Sequence, residues 1–248
     1  MNEVLLDREG SVALITLAAP ERRNAFRPEM VRRLLEICDE VDSDPEVGAV
    51  VIRAQGESFC AGADRAILAE AGSDPAEAGR YRNLGLTYRA FVRVGQLEAP
   101  TIAAVRGHAV GAGVNLMLAT DLRVVADTAR IITGFARIGL HPGGGHFVLA
   151  GRSAGREAAA AMSVFGQEID GRRAVQLGLA WEALPADQVE ARAIEIAATV
   201  AGDPELARAT VRSFRLELGP PAATWEVGLE AEKAPQMWSL RRRPAPPS

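Results

Sequence analysis

GHAVGAGVNLMLATD, Gly107 to Asp121, joins three local signals in one stretch. An apolar β-type run, Ala99 to Val105, leads into it, and a glycine-rich turn follows. Val114 to Ala119 then reads as a short apolar helix. A strand, glycine turn and helix in that order point free backbone N–H groups outward. The first N–H groups of a helix have no internal partner, and the helix dipole adds partial positive charge there. Gly111 and Gly113 carry no side chain, so the backbone can come close to a ligand oxygen.

The same pattern occurs earlier in the chain. FCAGADR, Phe59 to Arg65, follows the apolar run Ala49 to Ala54 and reads as a small-residue turn entering a helix capped by Asp64. Two such turns can each offer one N–H to the same oxygen, which is the arrangement of an oxyanion hole.

Working outward, Val4–Leu6 and Val12–Leu17 read as strands about a turn at Arg8-Glu9-Gly10. Pro28 opens a helix whose buried face is marked by Met30, Leu34, Ile37 and Val41, and Asp44-Pro45 ends it. Val47 to Ala54 is apolar throughout, as a strand buried on both faces is. Glu70 to Glu77 reads as a loop, and Tyr81, Leu84, Tyr88, Phe91 and Val94 mark one face of a long helix. Leu122 to Ala126 is a further strand, and IGLHPGGGH is a third glycine turn that opens a helix near His146. Beyond Gly151 the chain is mainly helical: Asp170 caps a short helix stopping at Gly178, and Trp181 sits on a strand-like piece. Helices follow over 187–201, 204–218 and, after a Gly-Pro-Pro break, about 222–240. Strands alternating with helices imply an α/β fold with a largely parallel sheet.

The 248 residues are 48% hydrophobic, enough to bury a full α/β core. A net charge of −4 argues against nucleic acid as partner. No apolar run is long enough to span a membrane, and no charged-then-apolar leader follows Met1. Cys38 and Cys60 lack metal-ligand spacing and read as reduced thiols, which suits a cytoplasmic location. Cys60 adjoins the first turn, yet no basic residue lies near it in sequence, so it reads as a small buried residue rather than a nucleophile. There is no Gly-x-Ser-x-Gly elbow, and the central turn does not match Gly-x-Gly-x-x-Gly.

PERRNAF at Pro20–Phe26, FCAGAD, GHAVGAGVNLMLATDLRVVA and IGLHPGGG at Ile138–Gly145, with the spacing between them, resemble the crotonase (enoyl-CoA hydratase/isomerase) superfamily. The resemblance covers almost the whole chain. It implies a spiral of ββα units over 1–185 and a C-terminal helical region over 186–248 that packs a homotrimer or hexamer. The segment that usually closes such chains, ending in a Lys-Arg-Pro-like motif, gives way here to Arg241-Arg242-Arg243 and PAPPS. The ligand implied is an acyl-CoA thioester, with no separate cofactor and no metal. The oxyanion donors implied are the N–H groups of Ala63 and Ala112. PERRNAF becomes the loop along the CoA nucleotide and pantetheine, with Arg22, Arg23 and Ala25 at the ligand. Further contacts are implied at Ala61, Asp64, Arg65 and Ala66, and at Gly111, Phe135 and Gly143.

The resemblance also marks a gap. Hydrating an enoyl thioester requires one carboxylate to activate water and one carboxylic acid to protonate Cα. Hydratases of this superfamily carry these glutamates at the positions occupied here by Asn115 and Phe135. An amide does not exchange protons near neutral pH, but Asn115 can still orient water or a carbonyl. His141 and His146 flank the third glycine turn and are the candidate replacement bases, His141 the stronger of the two. His108 reads as packing and Asp64 as a helix cap. Two functions stay open: an acyl-CoA enzyme with an unusual or weak acid–base group, and a non-catalytic acyl-CoA-binding protein on the same scaffold.

Overall fold

The computed structural model describes residues 3–64, 66–68 and 78–218. Arg65, the loop at 70–77, the side chains of Tyr81 and Leu84, the helix expected near 222–240 and the basic tail lie outside the described residues. Among the described residues the strands form two sheets. β1 (Val4–Glu9), β2 (Val12–Leu17), β3 (Ala49–Ala54), β5 (Thr101–Val105), β7 (Leu122–Ala126) and β10 (Glu182–Leu184) lie side by side in that order. Only β1 runs antiparallel to its neighbour; the other pairs are parallel. The second sheet takes β4 (Ser58–Cys60), β6 (His108–Val110), β8 (Arg130–Ile132) and β9 (Ile169–Asp170).

The chain alternates between the sheets. β3, β5 and β7 enter the first; β4, β6 and β8, immediately following each, enter the second. Four helices join the strands as far as β9: the first joins β2 to β3, the second and third return the chain from the second sheet to the first, and the fourth joins β8 to β9. They are α1 (Pro28–Ser43), α2 (Ala78–Gly95), α3 (Ala112–Ala119) and α4 (His146–Ser163), the last interrupted at Gly155. This is a spiral of ββα turns. Its core is continuous: Met30, Leu34, Ile37 and Val41 of α1 are all buried, as are Phe91 and Val94 of α2. α5 (Gly171–Gln176) is capped by Asp170, whose carboxylate accepts the Arg173 N–H at 2.8 Å. α6 (Val189–Ala201) lies on β3, β5 and β7 through Ala193, Ala197 and Ala201, small residues that let the helix approach the sheet.

α7 (Pro204–Leu218) is tied down by two arginines. Arg208 donates to the carbonyls of Val41, Asp42, Asp44 and Val47 at the C-terminal end of α1. A helix end leaves such carbonyls without internal partners, and a cation also suits the negative end of the dipole. Arg215 pairs with Asp121 and reaches the Leu97 and Ala99 carbonyls.

Several boundaries differ from the sequence expectations. The first hairpin turns at Gly10-Ser11, with Glu9 opposite Val12, because the strands pair one residue beyond the charged run. β3 begins at Ala49, not Val47, and β5 at Thr101, not Ala99. α3 begins at Ala112 and α6 at Val189. Trp181 precedes β10 and is 66% exposed. The opening residues of both glycine stretches, 58–60 and 108–110, are strands.

Candidate active site

β4 and β6 are parallel neighbours, and so are β6 and β8. The turns that follow these three strands therefore emerge side by side from one end of the second sheet. They supply Ala61-Gly62-Ala63, Gly111-Ala112 and Thr133-Gly134-Phe135 to one cavity of about 290 Å³.

The first two turns interlock through glycines. A Cβ on Gly62 would lie 2.7 Å from the Val110 carbonyl oxygen and 3.3 Å from the Ala112 nitrogen. A Cβ on Gly113 would lie 2.2 Å from the Cys60 carbonyl oxygen. Any side chain at either position would push the turns apart.

The PERRNAF loop is bonded along the first turn. The Ala61 N–H donates to Arg23, the Phe26 N–H to Gly62, and the Asp64 N–H to Phe26. This pattern leaves the Ala63 N–H without a partner among the described residues, and the Ala112 N–H at the start of α3 is also without one. Both residues line the cavity.

Asn24 holds the loop and was not singled out from sequence. It is fully buried in the left-handed region at φ 55°. Its Oδ1 accepts the Ala19 N–H at 2.8 Å, and its Nδ2 donates to the Gln55 and Ser58 carbonyls at 2.9 and 2.8 Å. The two acceptors flank the start of β4, so Asn24 joins the loop to the strand that carries the first turn. Asparagine tolerates the left-handed region better than most residues. Asn24→Ala is expected to cost about 2–4 kcal/mol, since two buried backbone groups and one part-buried carbonyl lose their partner. Urea unfolding measures this, and a change below half a kcal/mol, on the order of a surface substitution, would refute it.

Behind the cavity wall lies a buried polar chain. Asn115, on the first turn of α3, donates from Nδ2 to the Gly143 carbonyl at 3.0 Å. That bond fixes the amide's orientation, so Oδ1 faces His146 Nδ1 at 2.7 Å. An amide oxygen only accepts, so Nδ1 carries the proton and Nε2 accepts from Ser163 Oγ at 2.7 Å. Asn115 and His146 are each 1% exposed and Ser163 is 3% exposed. The Phe135 ring meets the His146 ring edge-on, with centroids 5.1 Å apart.

Burial lowers the His146 pKa from 6.5 to about 4. Between those values the unfolded chain holds a proton that the folded chain refuses, so stability falls as pH drops from about 6.5 towards 4. The loss should approach about 3 kcal/mol at the acid end. Urea titrations at several pH values should show this slope diminished in His146→Phe; equal slopes in the two proteins would contradict it.

His141 is exposed, lines the cavity and donates from Nδ1 to the Pro142 carbonyl at 2.6 Å. That leaves Nε2 as the ring's lone-pair nitrogen. The other titratable side chains among the described cavity residues are Tyr88 and Arg137, and no carboxylate is among them. Asp64 is not part of the lining: its carboxylate pairs with Arg27 at 2.6 Å and accepts the Ala66 N–H at 2.9 Å. Those two bonds, the arginine first, hold its pKa below the usual carboxylate value. Cys60 is wholly buried, which pushes its thiol up to about 12 and leaves it protonated.

The model for the enoyl-CoA hydratase/isomerase family matches residues 7–224. The chain belongs to that family. It is 40% identical over 238 residues to the probable enoyl-CoA hydratase EchA14 of Mycobacterium tuberculosis, covering 88% of this chain and 91% of the relative. It is 31% identical over 209 residues to the 1,2-epoxyphenylacetyl-CoA isomerase of Escherichia coli, covering 82% and 78%. Among solved structures, an enoyl-CoA hydratase from Polaromonas sp. JS666 superposes with a TM-score of 0.87 at 27% identity, covering 96% of this chain and 92% of that one. The spiral described above is thus the crotonase fold, and no helix of the described residues is long and apolar enough to cross a membrane.

Within this family member the residues assigned from sequence are distributed as follows. Ala61, Ala63, Gly111, Ala112, Asn115, Phe135, His141 and Gly143 line the one cavity. Ala25 lies in the loop bonded along the first turn, and Ala66 follows that turn. Arg22 is bound within the chain: it pairs with Glu3 and Glu21 and donates to the Ala25 carbonyl. Arg23 borders a separate crevice with Glu57 and His108.

Proposed function

We propose that this chain binds an acyl-CoA thioester in the cavity, with the thioester oxygen accepting hydrogen bonds from the Ala63 and Ala112 N–H groups. The observation that carries this reading is the interlock of the two turns, which sets two unpartnered N–H groups on one cavity. Two such donors stabilise negative charge developing on a carbonyl oxygen, and they do so without moving. The acyl chain then occupies the apolar part of the cavity, against Leu68, Val110, Ile138 and Leu140.

Polarisation is not hydration. The two family positions for the hydratase carboxylates hold Asn115 and Phe135, and His141 is the one described cavity side chain suited to proton transfer near neutral pH. The reading is therefore an acyl-CoA enzyme of the hydratase/isomerase family whose acid–base chemistry is weak or rests on His141. A second reading, a non-catalytic acyl-CoA binder, is favoured by the absence of any carboxylate among the described cavity residues. Titration with butyryl-CoA beside a turnover assay with short and medium enoyl-CoA substrates separates the two. Binding without turnover selects the second reading; no binding overturns both.

We further propose a homotrimer, or a hexamer of two such trimers. Phe147, Val148, Val164 and Phe165 of α4 and its C-terminal end are exposed, Phe165 by 72%. Large exposed apolar residues grouped this way mark contact surfaces, and closed rings are a common solution for identical subunits. Light scattering at micromolar concentration should give a trimer or hexamer mass, and the mass of one chain would exclude this assembly.

A further inference from the structure

The buried chain Asn115–His146–Ser163 contains the residue types of a hydrolytic triad, but in an arrangement that excludes that chemistry. Asn115 lines the cavity, whereas Ser163 is 3% exposed, lies at the far end of the chain and is not part of the cavity wall. A nucleophile must reach the acyl carbon. Here the group that reaches the cavity is an amide, and the histidine and serine stand behind it.

We propose that His146 and Ser163 are positioning residues for Asn115, and that the amide so held recognises a neutral oxygen on the acyl chain within a few carbons of the thioester. This rests on the acyl-CoA reading above. The argument begins with valences. Asn115 Nδ2 has two hydrogens, one committed to Gly143; Oδ1 has two lone pairs, one committed to His146. One donor and one acceptor site remain on a side chain that lines a largely apolar cavity.

The amide cannot rotate to choose otherwise. A flipped Asn115 would set its oxygen against the Gly143 carbonyl and its NH₂ against the protonated Nδ1 of His146. The histidine keeps its tautomer because the amide oxygen facing Nδ1 only accepts, so the proton stays on Nδ1 and the Ser163 hydroxyl turns to donate to Nε2. Phe135 against the ring edge completes the enclosure.

The reach follows from the helix. Asn115 lies three residues beyond Ala112 on α3, so the two positions face the same side about one turn apart. With the thioester oxygen at the Ala112 N–H, the amide meets the first carbons of the acyl chain. A site built to hydrogen-bond an oxygen rejects the analogue lacking it, because its own buried polar group is then left without a partner.

The test compares binding of 3-hydroxybutyryl-CoA and butyryl-CoA by calorimetry. Wild type should prefer the hydroxylated ligand at least about tenfold. Asn115→Leu should abolish that preference. His146→Phe should abolish it too, although His146 touches no ligand. His146→Asn, which keeps a donor near the Nδ1 position, should retain most of it, and this rescue separates positioning from mere packing. If His146→Phe does not fold, Ser163→Ala serves: it should reduce the preference several-fold with butyryl-CoA affinity unchanged. Equal affinities in wild type, or an undiminished preference in His146→Phe or Ser163→Ala, would overturn the inference while leaving the acyl-CoA reading standing. Failure of both ligands to bind would instead overturn that reading and this inference with it.

Discussion

Crotonyl-CoA hydration by this protein is expected to be slower than that of a two-glutamate hydratase by four orders of magnitude or more. General acid–base assistance is worth roughly 100-fold to 10,000-fold per group, and neither Asn115 nor Phe135 supplies any. The proposed polarisation of the thioester remains, but water is not deprotonated and Cα is not protonated by a group at those positions. Asn115→Glu alone should gain little. The new carboxylate would face the Gly143 carbonyl, now an acceptor without its donor, and would bond to the His146 Nδ1–H. The double variant Asn115→Glu/Phe135→Glu should raise the rate at least about 100-fold over wild type. Phe135 is 8% exposed, so burial will raise the pKa of a glutamate there, which suits a proton donor more than a base. Loss of the enoyl absorbance follows the reaction. Brisk hydration by the unaltered chain would refute this account and direct attention to His141. His146 is the poorer alternative, because its Nδ1 proton and Nε2 lone pair are both committed in the buried chain.

Ala112→Pro is expected to fold and to lose the function of the cavity. Ala112 is the first residue of α3, where proline's missing N–H breaks no helical bond and its fixed φ is accepted. What is lost is one of the two N–H groups proposed for the thioester oxygen. One such donor is worth about 3 kcal/mol in a transition state, so any turnover should fall by 100-fold or more. Binding of butyryl-CoA should weaken by less, about tenfold, because a ground-state carbonyl carries less charge than the developing oxyanion. Ala112→Gly keeps the N–H and should retain both properties. A proline variant with wild-type unfolding behaviour, full affinity and full turnover would remove Ala112 from the site.

The sequence by itself determined the helices with long periodic faces and the apolar strands of the larger sheet. The face Met30-Leu34-Ile37-Val41 and the runs in β2, β3 and β7 are local patterns, and burial enforces them wherever the elements pack. The motif spacing also carried the family. Local pattern did not reveal the second sheet, because β4, β6 and β8 are three residues each, too short to show a period. Only pairing between strands far apart in the chain makes them a sheet, and that pairing sets the turns after residues 60 and 110 side by side. Nor did the sequence show the role of Asn24, whose two carbonyl acceptors lie 31 and 34 residues away. His146 was legible as a histidine beside a glycine turn, and so as a possible base. Tertiary structure decided otherwise, by placing it between an amide oxygen 31 residues earlier and a hydroxyl 17 residues later. A side chain's protonation and hydrogen-bonding capacity depend on what surrounds it in space, and that is fixed only when the chain has folded.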